Sequence, residues 1–506
     1  MAITAGGNLN SVPAPRAQTL STNYLDLNST SGWGQQYVPD LMEKEAEVFG
    51  PRTISGFLSQ VGAEESMTAD QVIWSEQGRL HLSYLCDIDG GGSSSPVVTI
   101  QSDIDKLNYG EAGISVAHGV RLNDTVILSN ANGVYKGLVT GLAGTNDCDV
   151  TVAIYDGSTV ATLATNYGTT MLVYGSEYAK GMAYYTAAAT AAADSRGANE
   201  PRFKTFSNKP IIIRDYYEVS GSDASKIGWV ETTSEVGETG YLWYLKAEAD
   251  TRSRFTDYLE MAMLEGELGD DNSHNFGAGG SGAPQGVDAF LGNATGSTVG
   301  TEGLFAAITD RGNLTSGVTG VNAATDLAEF DAILAEFDNQ GAIEENMMFV
   351  NRATSLAMDD MLASMNSYGA GGTSYGVFNN SEDMALNLGF SGFRRGSYDF
   401  YKSDMRYLND KATRGGVNDN AGANAIRGVM VPAGTSSVYD QMLGKNLKRP
   451  FLHVRYRASQ SDDRRMKTWV TGSVGAATSA LDAMQIHMLS ERCLVTQGAN
   501  NFMLLK

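Results

Sequence analysis

Glu491-Arg-Cys-Leu-Val-Thr-Gln-Gly-Ala-Asn-Asn-Phe-Met-Leu-Leu-Lys506 brings the 506-residue sequence to its end on an apolar run, whereas chain termini are ordinarily loose and polar unless something ties them down. Such a run calls for a partner surface. Just upstream, Pro450-Phe-Leu-His-Val-Arg-Tyr-Arg457 and Met466-Lys-Thr-Trp-Val-Thr-Gly472 are rich in aromatic and β-branched residues in partial alternation, the pattern of strands. In the first, Phe451, His453, Arg455 and Arg457 share one side while Leu452, Val454 and Tyr456 share the other, which predicts an apolar inner face and a charged outer one. The sequence closes in sheet.

Working back toward the N-terminus, Gly428-Val-Met-Val-Pro432 and Asn346-Met-Met-Phe-Val350 read as strands. Two helices flank the latter. One covers about 325 to 339, with Leu327, Phe330, Leu334 and Phe337 on one face, Asp326 and Glu329 in its first turn and Gly341 to stop it; the other runs from about Ala353 to Asn366. Earlier still, Leu242, Leu245, Ala249, Phe255, Tyr258, Leu259, Ala262 and Met263 recur at three and four, predicting an amphipathic helix over about 241 to 267. At 1.5 Å per residue it would be roughly 38 Å long, the scale of a whole domain. Pro96–Ile100, Thr125–Ser129, Gly137–Thr140, Val150–Tyr155 and Met171–Tyr174 are short strands between Gly, Asn and Asp turns, expected to form a small antiparallel barrel or sandwich at about 95 to 178. Residues 1 to about 40 mix Gly, Ser, Asn, Pro and Thr with scattered Tyr and Leu, which suits an arm laid along another surface. The fold class is mixed, α+β.

Composition narrows the function classes. At this length several modules are expected, and 58 glycines imply many turns and ordered loops. A net charge of −22 argues against a nucleic-acid reader, which needs a concentrated excess of Lys and Arg. A container for nucleic acid is compatible, because its wall need not grip phosphates. Cys86, Cys148 and Cys493 lie far apart without CxxC spacing, so neither a disulfide framework nor a zinc site is expected, and a reducing cytoplasm suits the chain. With no basic start, no apolar leader and no run of about 18 apolar residues, neither secretion nor membrane spanning is expected.

Motif by motif, catalysis finds little footing. Gly277-x-Gly279-x-x-Gly282 matches a dinucleotide fingerprint in form, but Asp270-Asp-Asn-Ser-His274 stands where a strand should be and Pro284 follows, so it reads as a loop. His81, His118, His274, His453 and His487 are dispersed, with neither a G-x-S-x-G elbow nor an H-E-x-x-H pair, and no catalytic, cofactor or metal residue is assigned. Asp270-Asp271 and Asp462-Asp463 are adjacent carboxylates of the kind that point apart on a turn. Charge is most uneven between Asp440 and Trp469, where Lys445, Lys448, Arg449, Arg455, Arg457, Arg464, Arg465 and Lys467 stand against three acids. That stretch is either a solvated basic face or a face that meets the acidic surface of a neighbouring copy.

The segment from Met466 through Asn500 resembles the closing segment of major capsid proteins of tailed bacteriophages, the Hong Kong 97-type fold, and is similar to those of podoviruses of the crAss-like kind. The order of arm, strand-rich excursion, long helix, compact helix-strand-helix unit and closing strands is also similar to that family's plan. The resemblance implies an N-terminal arm over 1–72 and an extended-loop region over 73–215 carrying the inserted β-barrel. It implies a peripheral domain with a spine helix over 216–300, an axial domain over 301–440, and a return to the peripheral domain over 441–506. It further implies a structural, non-enzymatic protein that joins copies of itself as hexamers and pentamers of an icosahedral shell around double-stranded DNA. Synthesis and assembly would take place in the bacterial host cytoplasm, with portal, scaffolding or decoration proteins as further partners and no membrane. Trp33, Tyr37 and Leu41, in the arm, are expected to lie across a neighbour together with the basic residues named above. A tail, fibre or surface-layer protein is the alternative, sharing the glycine content and the lack of catalytic motifs.

Overall fold

The computed structural model describes residues 58, 63–77, 80–89, 94–103, 118–144, 148–160, 168–180, 203–224, 231–233, 239–268, 300–340, 343–365, 392–433, 435–440, 445–474 and 477–506. In chain order the strands are β1 (Ala63–Met67), β2 (Val72–Gln77), β3 (Ser83–Asp89), β4 (Val97–Asp103), β5 (Asp124–Asn130), β6 (Gly133–Ala143), β7 (Asp149–Ile154), β8 (Thr169–Ser176), β9 (Phe203–Asn208), β10 (Ile211–Ser220), β11 (Glu231–Thr233), β12 (Thr239–Tyr241), β13 (Asn313–Thr315), β14 (Glu345–Val350), β15 (Gly392–Arg395), β16 (Tyr398–Asp404), β17 (Gly428–Pro432), β18 (Thr435–Asp440), β19 (Lys445–Pro450), β20 (Leu452–Arg457), β21 (Lys467–Gly472), β22 (Ala483–Thr496) and β23 (Met503–Leu505). Ile73–Phe206 makes one compact unit, and the chain on either side of it makes the other.

Within Ile73–Phe206, β3-β4-β7-β6-β5-β8 close into a barrel. The expected strands are present, and the barrel recruits one more that the sequence reading left out, β3, ahead of residue 95. Alternation explains the closure: Cys86, Ile88, Val98, Ile100, Val126, Leu128, Val139, Val150, Val152 and Met171 are all buried and form one core. A barrel this small is filled by its own side chains. Its curvature is taken up at three register shifts, at Leu85/Cys86, Thr125/Val126 and Val139/Gly141, because an extra residue bends a strand and raises its local twist.

Among its described residues, the other unit holds two large sheets and two two-stranded ones, β11-β12 and β18-β19. In the first, β1-β20-β22-β10 are neighbours and β21 pairs beside β20 on the same edge of β22, so that the fourteen-residue β22 is its spine. The helix Leu242–Glu265 falls within the stretch expected to be helical, about 241 to 267, and lies on this sheet, Phe255 and Leu259 packing on Met488 and Ile213. Tyr258, expected on the same stripe, is exposed instead, because the stripe that touches the sheet is the i, i+4, i+8 row Phe255, Leu259, Met263. Gly266 ends the helix where a Cβ would come within 2.6 Å of the Thr301 carbonyl.

The second sheet runs β13-β23-β17-β14-β16-β15. Both of its faces are covered. Phe349, Val429, Val431 and Leu504 point into a core shared with helix Leu304–Arg311 and with Leu452, Val454 and Leu494 of the first sheet. Met348, Val350, Met430, Met503 and Leu505 point the other way, onto Phe330, Ile333 and Phe337 of helix Ala323–Gln340 and Met358, Met361 and Leu362 of helix Arg352–Met365. Asn322 and Asn351 cap these two helices, accepting from the Thr325 and Thr354 amides at 3.0 and 2.9 Å. The stop expected at Gly341 lies outside the described residues.

This arrangement supplies the partner surface that the apolar ending demanded. β23 is a central strand, parallel to β13 and antiparallel to β17, and a strand buried on both faces reads as a continuous apolar run. Arg427 completes the seam, donating from Nε and Nη2 to the Lys506 carbonyl oxygen at 3.0 and 2.8 Å and to the carbonyls of Ser316, Gly317 and Val318.

Candidate assembly surface

Over β10, β21 and the first half of β22 the first sheet has one partly covered face and one more open one; from Met488 onward β22 is buried on both faces. Even-numbered residues of β22 turn toward the helix side. Odd-numbered ones turn away from it, and along β10 the matching set is Ile212, Arg214, Tyr216 and Glu218, all exposed. Register aligns three rows across β10, β22 and β21: Arg214, Leu489 and Lys467; Tyr216, His487 and Trp469; Glu218, Gln485 and Thr471. The middle row is an aromatic stripe. The His487 ring stacks on Trp469 at 5.1 Å between centroids, Tyr216 lies 5.9 Å from His487, and the Arg214 guanidinium sits 6.0 Å from the Trp469 ring centroid. Polar bonds hold the stripe in place: Thr471 Oγ1 and His487 Nε2 are 2.8 Å apart, and Gln485 Nε2 donates to Glu218 Oε2 at 2.7 Å. Nothing in the sequence reading pointed to β10, although Ile211-Ile-Ile-Arg-Asp-Tyr-Tyr-Glu-Val-Ser220 has the β-branched and aromatic content of a strand.

The basic stretch maps beside this face. Arg457 and Arg464 both reach Glu491, whose side chain is only 5% exposed, and Arg457 also pairs with Asp70. Arg455 pairs with Glu65 at 2.7 Å, Arg465 with Glu64, and Lys467 with Asp462 at 2.6 Å. Arg492, which the sequence reading did not single out, is nearly buried; it donates to Ser490 Oγ and to the Arg465 carbonyl, each at 2.9 Å, and its guanidinium approaches Glu64 at 3.6 Å. Burial lowers the pKa of the Arg492 guanidinium, while the Glu64 charge opposes that shift.

Asp462 belongs to the stretch itself, but Glu64 and Glu65 of β1, Asp70 just after it and Glu491 of β22 come from other parts of the chain, which is why no local pattern announced them. Most of the pairs are half-exposed and each is worth little by itself; Glu491, shut away between two guanidiniums, is the exception. Lys445, Lys448 and Arg449 stand on β19, their backbones paired with Asp440, Ser437 and Ser436 of β18. Trp33, Tyr37 and Leu41 lie outside the described residues.

One expectation fails. His453 was assigned to a charged outer face with Arg455 and Arg457, yet it is 1% exposed. β20 lies between β1 and β22; its N-terminal half, Leu452, His453 and Val454, is buried on both faces, and only its C-terminal half keeps a partly wetted face.

Asp270, Asp271 and His274, and the Gly277–Gly282 motif, lie outside the described residues. Cys86, Cys148 and Cys493 are buried thiols outside any disulfide, and burial pushes the Cys493 thiol up to about 12. Asp462 and Asp463 serve their own turn, the first on Lys467 and the second accepting the Arg465 amide at 2.9 Å. Among the described residues no three His, Cys, Asp or Glu side chains come together as a metal-binding group, and no helix is long and apolar enough to cross a membrane.

No protein-family model and no curated protein matches the chain. Among solved structures it is similar to a chain of Microbacterium phage Oxtober96, at 9% identity and a TM-score of 0.36 over 95% of this chain and 99% of that one. It is similar also to one titled "Capsid structure of the Cyanophage P-SCSP1u", at 7% identity and a TM-score of 0.38 over 96% and 98%. A third, "Capsid of native GTA particle computed with C5 symmetry", aligns at 10% identity and a TM-score of 0.34 over 95% and 98%. These scores are low, and what the chain does is read from its own residues.

Proposed function

We propose that the chain is a structural subunit that builds a closed shell from copies of itself, a major capsid protein of the tailed-phage, Hong Kong 97 type. In this reading copies join as hexamers and pentamers around double-stranded DNA. Residues 1–72 serve as the arm, 73–215 as the extended loop with its barrel, 216–300 as the peripheral domain, 301–440 as the axial domain and 441–506 as the return of the chain. The observation that carries the proposal is the open sheet face. On one side the helix Leu242–Glu265 covers Met488 of β22 and part of Ile213 of β10, while the other side presents Ile212 and Tyr216 more than half exposed beside an ordered aromatic and ionic surface. Exposed apolar and aromatic surface of this kind marks contacts between proteins.

The sequence resemblance over Met466 to Asn500 falls on β21 and β22, two of the three strands that build that face. Within the basic stretch, Arg465 and Lys467 keep side-chain exposures of 57% and 42% while engaged with acids of their own chain. Of the mapped cations they are best placed to reach a neighbour as well, where complementary charge sets register more than affinity. Trp33, Tyr37 and Leu41 would supply apolar contacts from the arm. The net charge of −22 suits a wall that surrounds DNA without adhering to it.

Electron micrographs of the purified, concentrated protein test the reading. Closed polyhedra of uniform diameter are the expected result. Rods or flat lattices would assign the chain to tail, fibre or surface-layer proteins instead, and isolated particles at every concentration would end the shell reading.

A further inference from the structure

β10 is an edge strand: among the described residues β22 pairs one side of it and no strand pairs the other. Natural sheets protect such edges with short strands, prolines, lysines or bulges. β10 has none of these, its only protection of the kind being the charges of Arg214, Asp215 and Glu218. It runs ten residues in unbroken register with β22, contains neither Pro nor Lys, and presents Ile212 and Tyr216 to solvent. The opposite edge of the sheet contrasts with it, since β1 has only five residues and two of them are glutamates.

We propose that β10 pairs with β10 of a second copy, antiparallel about a two-fold axis through Tyr216, so that the two sheets become one. This rests on the shell reading and names one contact within it. The occupant follows from the strand's own sequence. With Tyr216 opposite the partner's Tyr216, Arg214 falls opposite the partner's Glu218, and Glu218 opposite the partner's Arg214, on the open face. Ile213 falls opposite Val219 on the helix side.

An isologous contact requires such self-complementarity, and opposite charges or aromatic rings directly across a strand pair are the combinations that stabilise it. Shifting the register by one residue would set Asp215 against Tyr216 and Arg214 against Tyr217, losing both ion pairs and mixing the two faces. Among the described residues, Arg214 lies over Trp469, Glu218 accepts from Gln485, and Asp215 is held by Arg254 at 3.3 Å. Asp215 Oδ1 also accepts the Tyr216 amide at 2.9 Å, a bond that pairing with a second copy would exchange for one to the partner's backbone carbonyl.

Cross-linking of the full-length protein tests it. Tyr216→Cys, mildly oxidised, should give a disulfide-linked dimer on a non-reducing gel, because in this register residue 216 alone of the open face meets itself. Glu218→Cys, equally exposed, should give little. The native cysteines are buried and do not compete. Arg214→Glu and Glu218→Arg should each weaken dimerisation roughly tenfold or more by setting like charges opposite, and combining them should restore it. Equal cross-linking at 216 and 218, or failure of the combined reversal to rescue, overturns the edge pairing. Absence of the 216 cross-link in a preparation whose micrographs contain shells overturns it too while leaving the shell reading in place. A protein that is monomeric at all concentrations overturns both.

Discussion

Tyr398 shows how a single residue of the second sheet registers pH. Its hydroxyl donates to Asp338 Oδ1 at 2.6 Å, and burial, then that hydrogen bond, then the charge of the same carboxylate push the phenol up to about 12. In the unfolded chain it titrates near 10. The folded state therefore holds the proton more tightly, and the stability this contributes is fully present below pH about 10 and is lost as pH rises through about 12. Tyr407, buried against Glu265, is shifted in the same direction. The buried Cys86 and Cys493 thiols are raised too, so the urea midpoint should begin to fall above pH about 9 and keep falling through about 12, and Tyr398→Phe should fall less steeply between about 10 and 12. Identical alkaline slopes for the two proteins would show that Tyr398 has no part in it. The same scale shows what the sequence concealed. The basic residues between Asp440 and Trp469 were visible as a cluster, but Glu64, Glu65, Asp70 and Glu491, which neutralise them, are brought in by strand pairing.

At the scale of elements, the turn out of β21 puts a conformational demand on one residue. Gly472 has φ +132, and a Cβ there would run into the Ala483 carbonyl as the chain begins β22. Gly472→Ala should cost about 1 to 3 kcal/mol through strain at a backbone position that L side chains rarely adopt. The loss should appear as a lower urea midpoint at unchanged m-value; an unchanged midpoint would mean that the turn reshapes freely. Which elements could be read in advance follows from how much of their burial is local. The helices Leu242–Glu265, Ala323–Gln340 and Arg352–Met365 announced themselves because one stripe of each is covered and the periodicity survives in the sequence. β14 and β17 were legible as continuous apolar runs, having both faces covered. β10 passed unnoticed for the opposite reason: at an edge, helix-side residues such as Ile211 and Ile213 are only partly buried while Ile212 and Tyr216 are exposed, so apolar residues stand on both faces and alternation is blurred. β3 was missed because Ser83-Tyr-Leu-Cys-Asp-Ile-Asp89 becomes a barrel strand only when β8 and β4 pair on either side of it.

Across the whole molecule, burial is divided between separate cores. The barrel closes around Ile88, Val98, Leu128, Val139 and Val152, with residues all drawn from Ile73–Phe206, whereas the two large sheets of the other unit share Leu304, Ile308, Val429, Leu452, Leu494 and Leu504. Cooperative unfolding is set by which side chains share a core, so an inserted module with its own apolar interior can open without dismantling its host. Leu128 is wholly buried in the middle of β5. Truncating it to alanine should cost about 2 to 5 kcal/mol, and that loss should be confined to the barrel. In hydrogen exchange of the full-length chain, Leu128→Ala should speed exchange throughout β3 to β8 and leave protection of β17, β22 and β23 as it was. The reciprocal substitution, Leu504→Ala in the central strand of the second sheet, should do the reverse. Faster exchange everywhere from either change would show one cooperative unit, and the barrel would then be part of the fold's stability and not a module carried upon it.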